Sequence, residues 1–315
     1  MITLAQARLN VQDDLQAGII DEFAKSSFIM NNIPFEDVVS PTGGGATLTY
    51  AYTRQITQPT ADFRKVNAEY TPHEVQKQRY TTDLKVFGGA FEVDRIIAGM
   101  GGIVDEVTWQ AQQKVKAASA LFSDTIINGN TSVNEDVFDG LDVALTGGAT
   151  EVDASALDLS TSAAVTTNYV QFLDLLDEFL GELDGTPSAL LMNAKMAAKL
   201  RAVARRAGMY QVTKDNFGHQ VEHYGNIPFV DLGAKAGSNN PIVGINSGAT
   251  SIYAVRFGKD AFHAVSMAGH PPVKIWMPDF STAGAVKRGE VEMVAGCALK
   301  TTKSCGVLRN IKVSA

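Results

Sequence analysis

The sequence holds only two cysteines, Cys297 and Cys305, too few for a disulfide framework and in keeping with a reducing cytoplasm. It lacks any apolar run of about 18 residues, the length a membrane-spanning helix needs. The opening Met1-Ile2-Thr3-Leu4-Ala5-Gln6-Ala7-Arg8 has no basic flank leading into an apolar segment, so no signal peptide is expected. Basic residues are in deficit, 27 against 34 acidic, for a formal charge of −7. That balance argues against gripping DNA sequence-specifically through a broad basic face. It leaves room for lying beside packed nucleic acid. Catalytic signatures are also missing. No Gly-x-Ser-x-Gly elbow is present to start a hydrolase triad. Gly43-Gly44-Gly45 and Gly99-Met100-Gly101-Gly102 lack the Gly-Lys-Ser/Thr of a phosphate loop and read as a hinge and a helix lead-in.

What is present is a chain of 315 residues, 45% hydrophobic and 19% charged, enough for a substantial globular core in one large or two moderate domains. Its 28 glycines suit many turns rather than a helical bundle. The stretch from Ala46 to Asn130 carries most of the information. Thr47 to Thr57 alternates strictly, with Leu48, Tyr50, Tyr52 and Ile56 on one face, the period of a strand. Val75 to Val86 has strand composition, with Lys77, Arg79, Asp83 and Lys85 on one face. Between them Gln58 to Glu74 is polar. Two such strands are marginal in water and bury little against each other, so the arm has to lie on something else. A neighbouring copy of the same protein is the economical guess.

A long amphipathic helix follows. Val104, Val107, Ala111, Val115, Ala118, Phe122 and Ile126 recur every three or four residues. About 26 residues predict a rod of about 39 Å, closed by Asn128-Gly129-Asn130 as a left-handed stop. Upstream, residues 3 to 25 suit an amphipathic helix. Pro41 and the three glycines after it form a joint, so 1 to 45 reads as an arm packing outside the main core. Leu84 to Val93 returns the chain to the core, with Gly88-Gly89 permitting a bend or bulge.

Downstream the pattern is mixed. Loops and short strands run to about Thr167, and Asn168 can cap a helix through Phe172, Leu176, Phe179 and Leu183. Ala189 to Met192 reads as a buried strand, and a helix from near Asn193 ends on Arg205, Arg206 and Gly208. Ile227 to Asp231, Ile242 to Ile245 and Ile252 to Phe257 read as strands. So do Val273 to Met277, Glu290 to Lys300 and Val307 to Val313, most clearly through Val291, Met293, Ala295, Cys297 and Leu299. The fold class is α+β. No internal repeat or low-complexity segment is visible.

His219-Gln220-Val221-Glu222-His223 has the His-x-x-Glu-His spacing of inverted zinc metalloproteases, which need both imidazoles one helical turn apart with the glutamate as base. Gly218 before it and Gly225 after it deny that helix, so a polar loop or strand is the expectation. His263 and His270 are singled out by no spacing. Cys297 sits on an alternating apolar face as a small core residue. Asp13-Asp14 and Asp21-Glu22 fall on helix surfaces, where solvation explains them. No residue is assigned a catalytic, cofactor-binding or metal role.

Taken in order, these elements resemble a tailed-bacteriophage major capsid protein of the Hong Kong 97-like fold, and the resemblance covers nearly the whole chain. The arm and extended loop come first. Ile126-Ile127-Asn128-Gly129-Asn130 and Phe138-Asp139-Gly140-Leu141 follow, then Leu190-Leu191-Met192-Asn193 and Ile227-Pro228-Phe229-Val230-Asp231. Tyr253 to Gly258 and Arg288 to Met293 close the series. The resemblance implies an N-terminal arm (1–45), an extended β-hairpin loop (46–90), a peripheral domain with the spine helix (91–135 and 271–315) and a mixed α/β axial domain (136–270). It further implies a structural, non-enzymatic shell subunit whose partners are other copies of itself in hexamers and pentamers. Portal and head-decoration proteins, and a separate scaffolding protein because no long helical pre-domain precedes the arm, complete the partner set. Contact with packaged double-stranded DNA would be non-specific, and no membrane is involved. The protein would be made in the host bacterial cytoplasm and reside in the virion. Some relatives weld subunits through lysine–asparagine bonds, for which Lys65, Lys77 and Asn310 are conceivable partners marked by no motif. Encapsulin compartments share the fold and are the alternative. A zinc hydrolase built on His219, Glu222 and His223 is a more distant one.

Overall fold

The computed structural model describes residues 28–40, 47–100, 105–208, 211–214, 220–269 and 272–314. The expected helix over 3 to 25, the Pro41 and Gly43 to Gly45 joint, His219 and His270 lie outside the described residues.

Two sheets and a separate two-stranded hairpin organise the chain. The first sheet has the strand order β1 (Phe35–Val39), β11 (Phe262–Met267), β13 (Val286–Leu299) and β12 (Val273–Trp276), with β4 (Lys85–Asp94) along the opposite side of β13. The second runs β5 (Glu151–Asp153), β14 (Cys305–Lys312), β10 (Ala249–Val255), β6 (Ala189–Met192), β9 (Ile227–Asp231), β8 (Gln220–Tyr224) and β7 (Gln211–Lys214). The hairpin is β2 (Thr49–Gln55) with β3 (Lys77–Asp83).

Alternation along β13 decides how the first sheet packs. Met293, Ala295, Cys297 and Leu299 join the core that holds Phe122, Ile126 and Ile127 of the long helix. Val294 and Ala298 face the other way, with Val265, toward Tyr50 and Tyr52 of the hairpin. In the second sheet Leu191, Tyr253 and Val255 face that same helix-side core. Leu190, Met192, Ile252 and Ala254 face two covering helices, Ser162–Gly181 and Ala194–Arg206. With both faces covered, all four residues of β6 are buried.

Several expectations change. The long helix spans Glu106–Asn128, 23 residues and about 34 Å, with the Asp105 carboxylate accepting from Thr108 N at its start. Val115 is only half-buried. Gly129 is not left-handed: its φ is −58°. A Cβ there would lie 2.2 Å from Phe138 O and 2.5 Å from Thr125 O, so close backbone approach explains the glycine. Gly88-Gly89 forms no bulge, because β4 pairs with β13 without a break from Lys85 to Asp94. The second helix starts at Ser162 with Thr161 as its cap. Asn168 lies inside it and donates to Asp158 O.

Ile242 to Ile245 is not a strand. Its carbonyls are taken by side chains instead: Asn128 on Ile242 O, Asn193 on Val243 O and Thr250 on Gly244 O. The closing strand β14 joins the second sheet beside β10 rather than the sheet holding β12 and β13. Phe28 to Val39 does not pack outside the core, since Ile29 and Ile33 are buried in it and β1 pairs in parallel with β11.

Candidate assembly surface

The hairpin has an anchored shaft and an uncovered tip. Alternation turns Tyr50, Tyr52 and Arg54 inward and leaves Ala51, Thr53 and Gln55 outside. The Tyr52 hydroxyl donates to Leu299 O at 2.9 Å, and Arg54 Nε donates to Lys300 O at 2.9 Å. The Arg54 guanidinium lies 4.3 Å from the Tyr80 ring centre, and Tyr52 and Tyr80 stack at 5.8 Å. A cation held over an aromatic face adds to these hydrogen bonds. At the base, the Tyr50 hydroxyl donates to Glu36 Oε2 at 2.9 Å, and Lys300 Nζ donates to the same oxygen at 3.0 Å. Lys85 Nζ donates to Glu135 O at 2.6 Å, tying the returning strand to the loop after the long helix.

Beyond Ile56 the paired strands end, closed by Ile56 N on Gln76 O. The tip then carries Phe63 at 108% exposure and Val66 at 88%, with Tyr70 also exposed. Local contacts shape it. Arg64 lies over the Tyr70 ring, His73 is 3.7 Å from Asp62, and Asn67 adopts a left-handed turn. None of these covers Phe63 or Val66. A grouped set of bare apolar side chains on a shaped projection marks a contact surface. A second such set, Ile96, Ile97, Met100 and Val286, sits around the junction where Arg95 N bonds to Ala285 O.

The candidate residues weighed from the sequence separate. Glu222 and His223 are neighbours on strand β8 and therefore project from opposite faces, while Glu222 pairs with Arg201 at 2.7 Å. Among the described residues no group of three or more His, Cys, Asp or Glu side chains is placed to hold a metal ion. Burial raises the thiol pKa of both Cys297 and Cys305, the latter to about 12 despite the Arg256 and Ser304 contacts that oppose it. Lys65 and Lys77 lie on the arm, whereas Asn310 lies on β14 and donates to Asp153. Arg54 was legible as sharing the inward face of its strand. Glu36, His263 and Lys300 carried no pattern that joined them.

No family model matches the chain, and no curated protein does. Solved structures do, end to end. The holo-SrpI encapsulin complex from Synechococcus elongatus PCC 7942 matches at a TM-score of 0.67 and 15% identity, over 100% of this chain and 98% of that one. The capsid of the native GTA particle matches at 0.63 and 15%, over 99% of each. A chain of Mycobacterium phage Cain matches at 0.62 and 14%, over 100% of each. This chain has the Hong Kong 97-like fold. Within the Hong Kong 97-like fold as built here, the arm projects from one face of the first sheet and the long helix lies on the other.

Proposed function

We propose that this chain is a structural major capsid protein that self-assembles into hexamers and pentamers of an icosahedral tailed-phage head enclosing double-stranded DNA. The observation that carries this reading is the arm. Its shaft is bonded to its own sheet by Tyr52 and Arg54, while its tip leaves Phe63 and Val66 uncovered among the described residues. A neighbouring copy supplies the missing cover. Symmetry then multiplies a modest contact into a closed shell. On this reading the first sheet and long helix form the peripheral region and the second sheet the axial one. Scaffolding, portal and decoration proteins are the further partners, DNA contact is non-specific, the protein resides in the virion, and no catalytic site is needed.

Deleting Thr57 to Val75 and closing the strands with a short turn tests the reading. A folded chain that no longer forms shells in negative-stain microscopy is expected. Normal particles from the deletion variant would remove the main support. An encapsulin-type compartment shell is the second reading, favoured by the end-to-end likeness to the encapsulin complex. A stoichiometric enzyme enclosed in particles purified from the native source would select it over the phage head.

A further inference from the structure

The base of the arm holds a part-buried polar cluster around one fully buried histidine, which a purely structural anchor does not require. His263 has 0% exposure and lies on the face of β11 that meets the hairpin. Charged and titratable groups converge on it from every element packed there. Glu36 comes from β1, Tyr50 from β2, Lys300 from the end of β13, and Lys259 from the turn before β11. Arg54 is the next charged group along β2, engaged with Lys300 O. Glu36 Oε2 lies 2.9 Å from His263 Nε2 while also receiving the Tyr50 hydroxyl and the Lys300 ammonium. The Tyr50 ring stands edge-on to the imidazole at 5.9 Å. Neither ring nitrogen of His263 has an aligned hydrogen-bond partner among the described residues, Glu36 Oε2 lying close to Nε2 but outside hydrogen-bond alignment.

This geometry selects one state of the ring. The carboxylate charge beside Nε2 favours the single ring proton on that side, by attraction rather than by an aligned hydrogen bond, and leaves Nδ1 as a bare acceptor. A second proton at Nδ1 would bury an N–H with no acceptor and a cation beside Lys300. Both are costly away from water. The closed cluster therefore holds the neutral ring, and only an opened cluster admits the imidazolium.

We propose that Glu36, Tyr50, His263 and Lys300 form an acid-sensitive latch that holds the base of the arm against the first sheet and releases it when His263 gains a second proton.

Burial, then repulsion by Lys300, keeps the His263 pKa below its ordinary 6.5, with Glu36 opposing. The opened state thus binds the proton more readily than the closed one. Latch stability is complete above pH 6.5 and is lost progressively as pH falls from there toward the depressed value. Burial pushes Glu36 upward, but its bonds to Lys300 and Tyr50 bring it below the ordinary 4.5 on balance. The carboxylate therefore stays charged above its ordinary 4.5, so acidification from 6.5 to about 5 acts on the histidine. Because the latch lies within one chain, its test stands whether or not the chain forms shells.

Amide hydrogen exchange of the full-length protein, read by mass spectrometry between about pH 7.5 and about pH 5 and corrected for intrinsic rates, follows the latch directly. Segments 47–56 and 77–84 should lose protection by about tenfold on acidification. His263→Gln, which keeps an N–H toward Glu36 and cannot take a proton, should lose none. Exchange of the His263 ring C2 hydrogen in the unaltered protein should give a titration midpoint below 6.5. The latch is overturned by pH-independent protection, by an equal loss in His263→Gln, or by a midpoint at or above the ordinary value. If His263→Gln does not fold, the ring titration decides alone.

Discussion

Replacing Phe122 by alanine tests what joins the long helix to the first sheet. Phe122 is fully buried and has three aromatic neighbours from three different places in the fold. Phe87 of β4 stacks on it at 5.9 Å with planes 6° apart, Phe35 of β1 stacks at 6.0 Å, and Phe138 meets it edge-on at 6.1 Å. A buried Phe→Ala change costs about 3 to 5 kcal/mol. Three ring contacts, each contributing about 0.5 to 1.5 kcal/mol beyond area, put this site at the upper end. The partners are fixed by separate elements, so the cavity has little freedom to collapse. A loss of about 4 to 5 kcal/mol is expected, against a total stability of about 5 to 15 kcal/mol. Val115 is only half-buried, and Val115→Ala should cost about 1 kcal/mol. Accordingly Phe122→Asp should abolish soluble protein, Lys114→Asp, one step off the apolar stripe, should be tolerated, and Val115→Asp should fall nearer to the latter. Urea unfolding of the full-length chain, compared at unchanged slope, measures the difference. A Phe122→Ala loss below about 2 kcal/mol, or one equal to that of Val115→Ala, would refute the aromatic junction.

Two glycines should respond oppositely. A Cβ on Gly88 would lie 2.0 Å from Val291 O, so Gly88→Ala must part β4 from β13 and should cost about 3 kcal/mol; Gly99→Ala meets nothing within 4 Å and should be neutral or stabilising by up to about 1 kcal/mol in thermal melts. Arg309, 21% exposed, pairs with both Asp142 and Glu151. Arg309→Met should therefore cost about 3 kcal/mol, whereas Arg288→Met, whose pair with Glu290 is 62% exposed on the arginine side, should cost under about 1 kcal/mol. Burial raises the pKa of Cys297 and Cys305, so at about pH 8 neither thiol should react with a maleimide until denaturant is added. Rapid labelling of the native protein would contradict that burial.

Elements whose burial repeats with their own geometry were readable from the chain. Val291 to Leu299 alternates because one face of β13 meets the long helix and the other meets the hairpin. Tyr50 to Arg54 alternates because its inward side chains stand on the first sheet, whereas Leu48 and Ile56 at the ends of the same face are exposed. Asn193 announced a helix start because a cap acts within three residues, accepting from Met196 N. In each case the signal is local, an element's own period or its cap, even where the partner that buries it lies far along the chain.

Other features depended on partners far along the chain. Ile242 to Ile245 has strand composition, yet its carbonyls bond to Asn128, Asn193 and Thr250, and composition does not record which donor reaches a carbonyl. Gly88 reads as flexible, but its cause is the Val291 carbonyl about two hundred residues away, which leaves no room for a side chain. Period-2 patterning predicted that Val307 to Val313 is a strand. It carried no information on which sheet that strand joins, because either sheet buries an alternating face equally well. The cluster of Glu36, Tyr50, His263 and Lys300 is the extreme case. Four polar residues from four segments look unrelated in the sequence, and only packing one carboxylate oxygen against the other three makes them one unit.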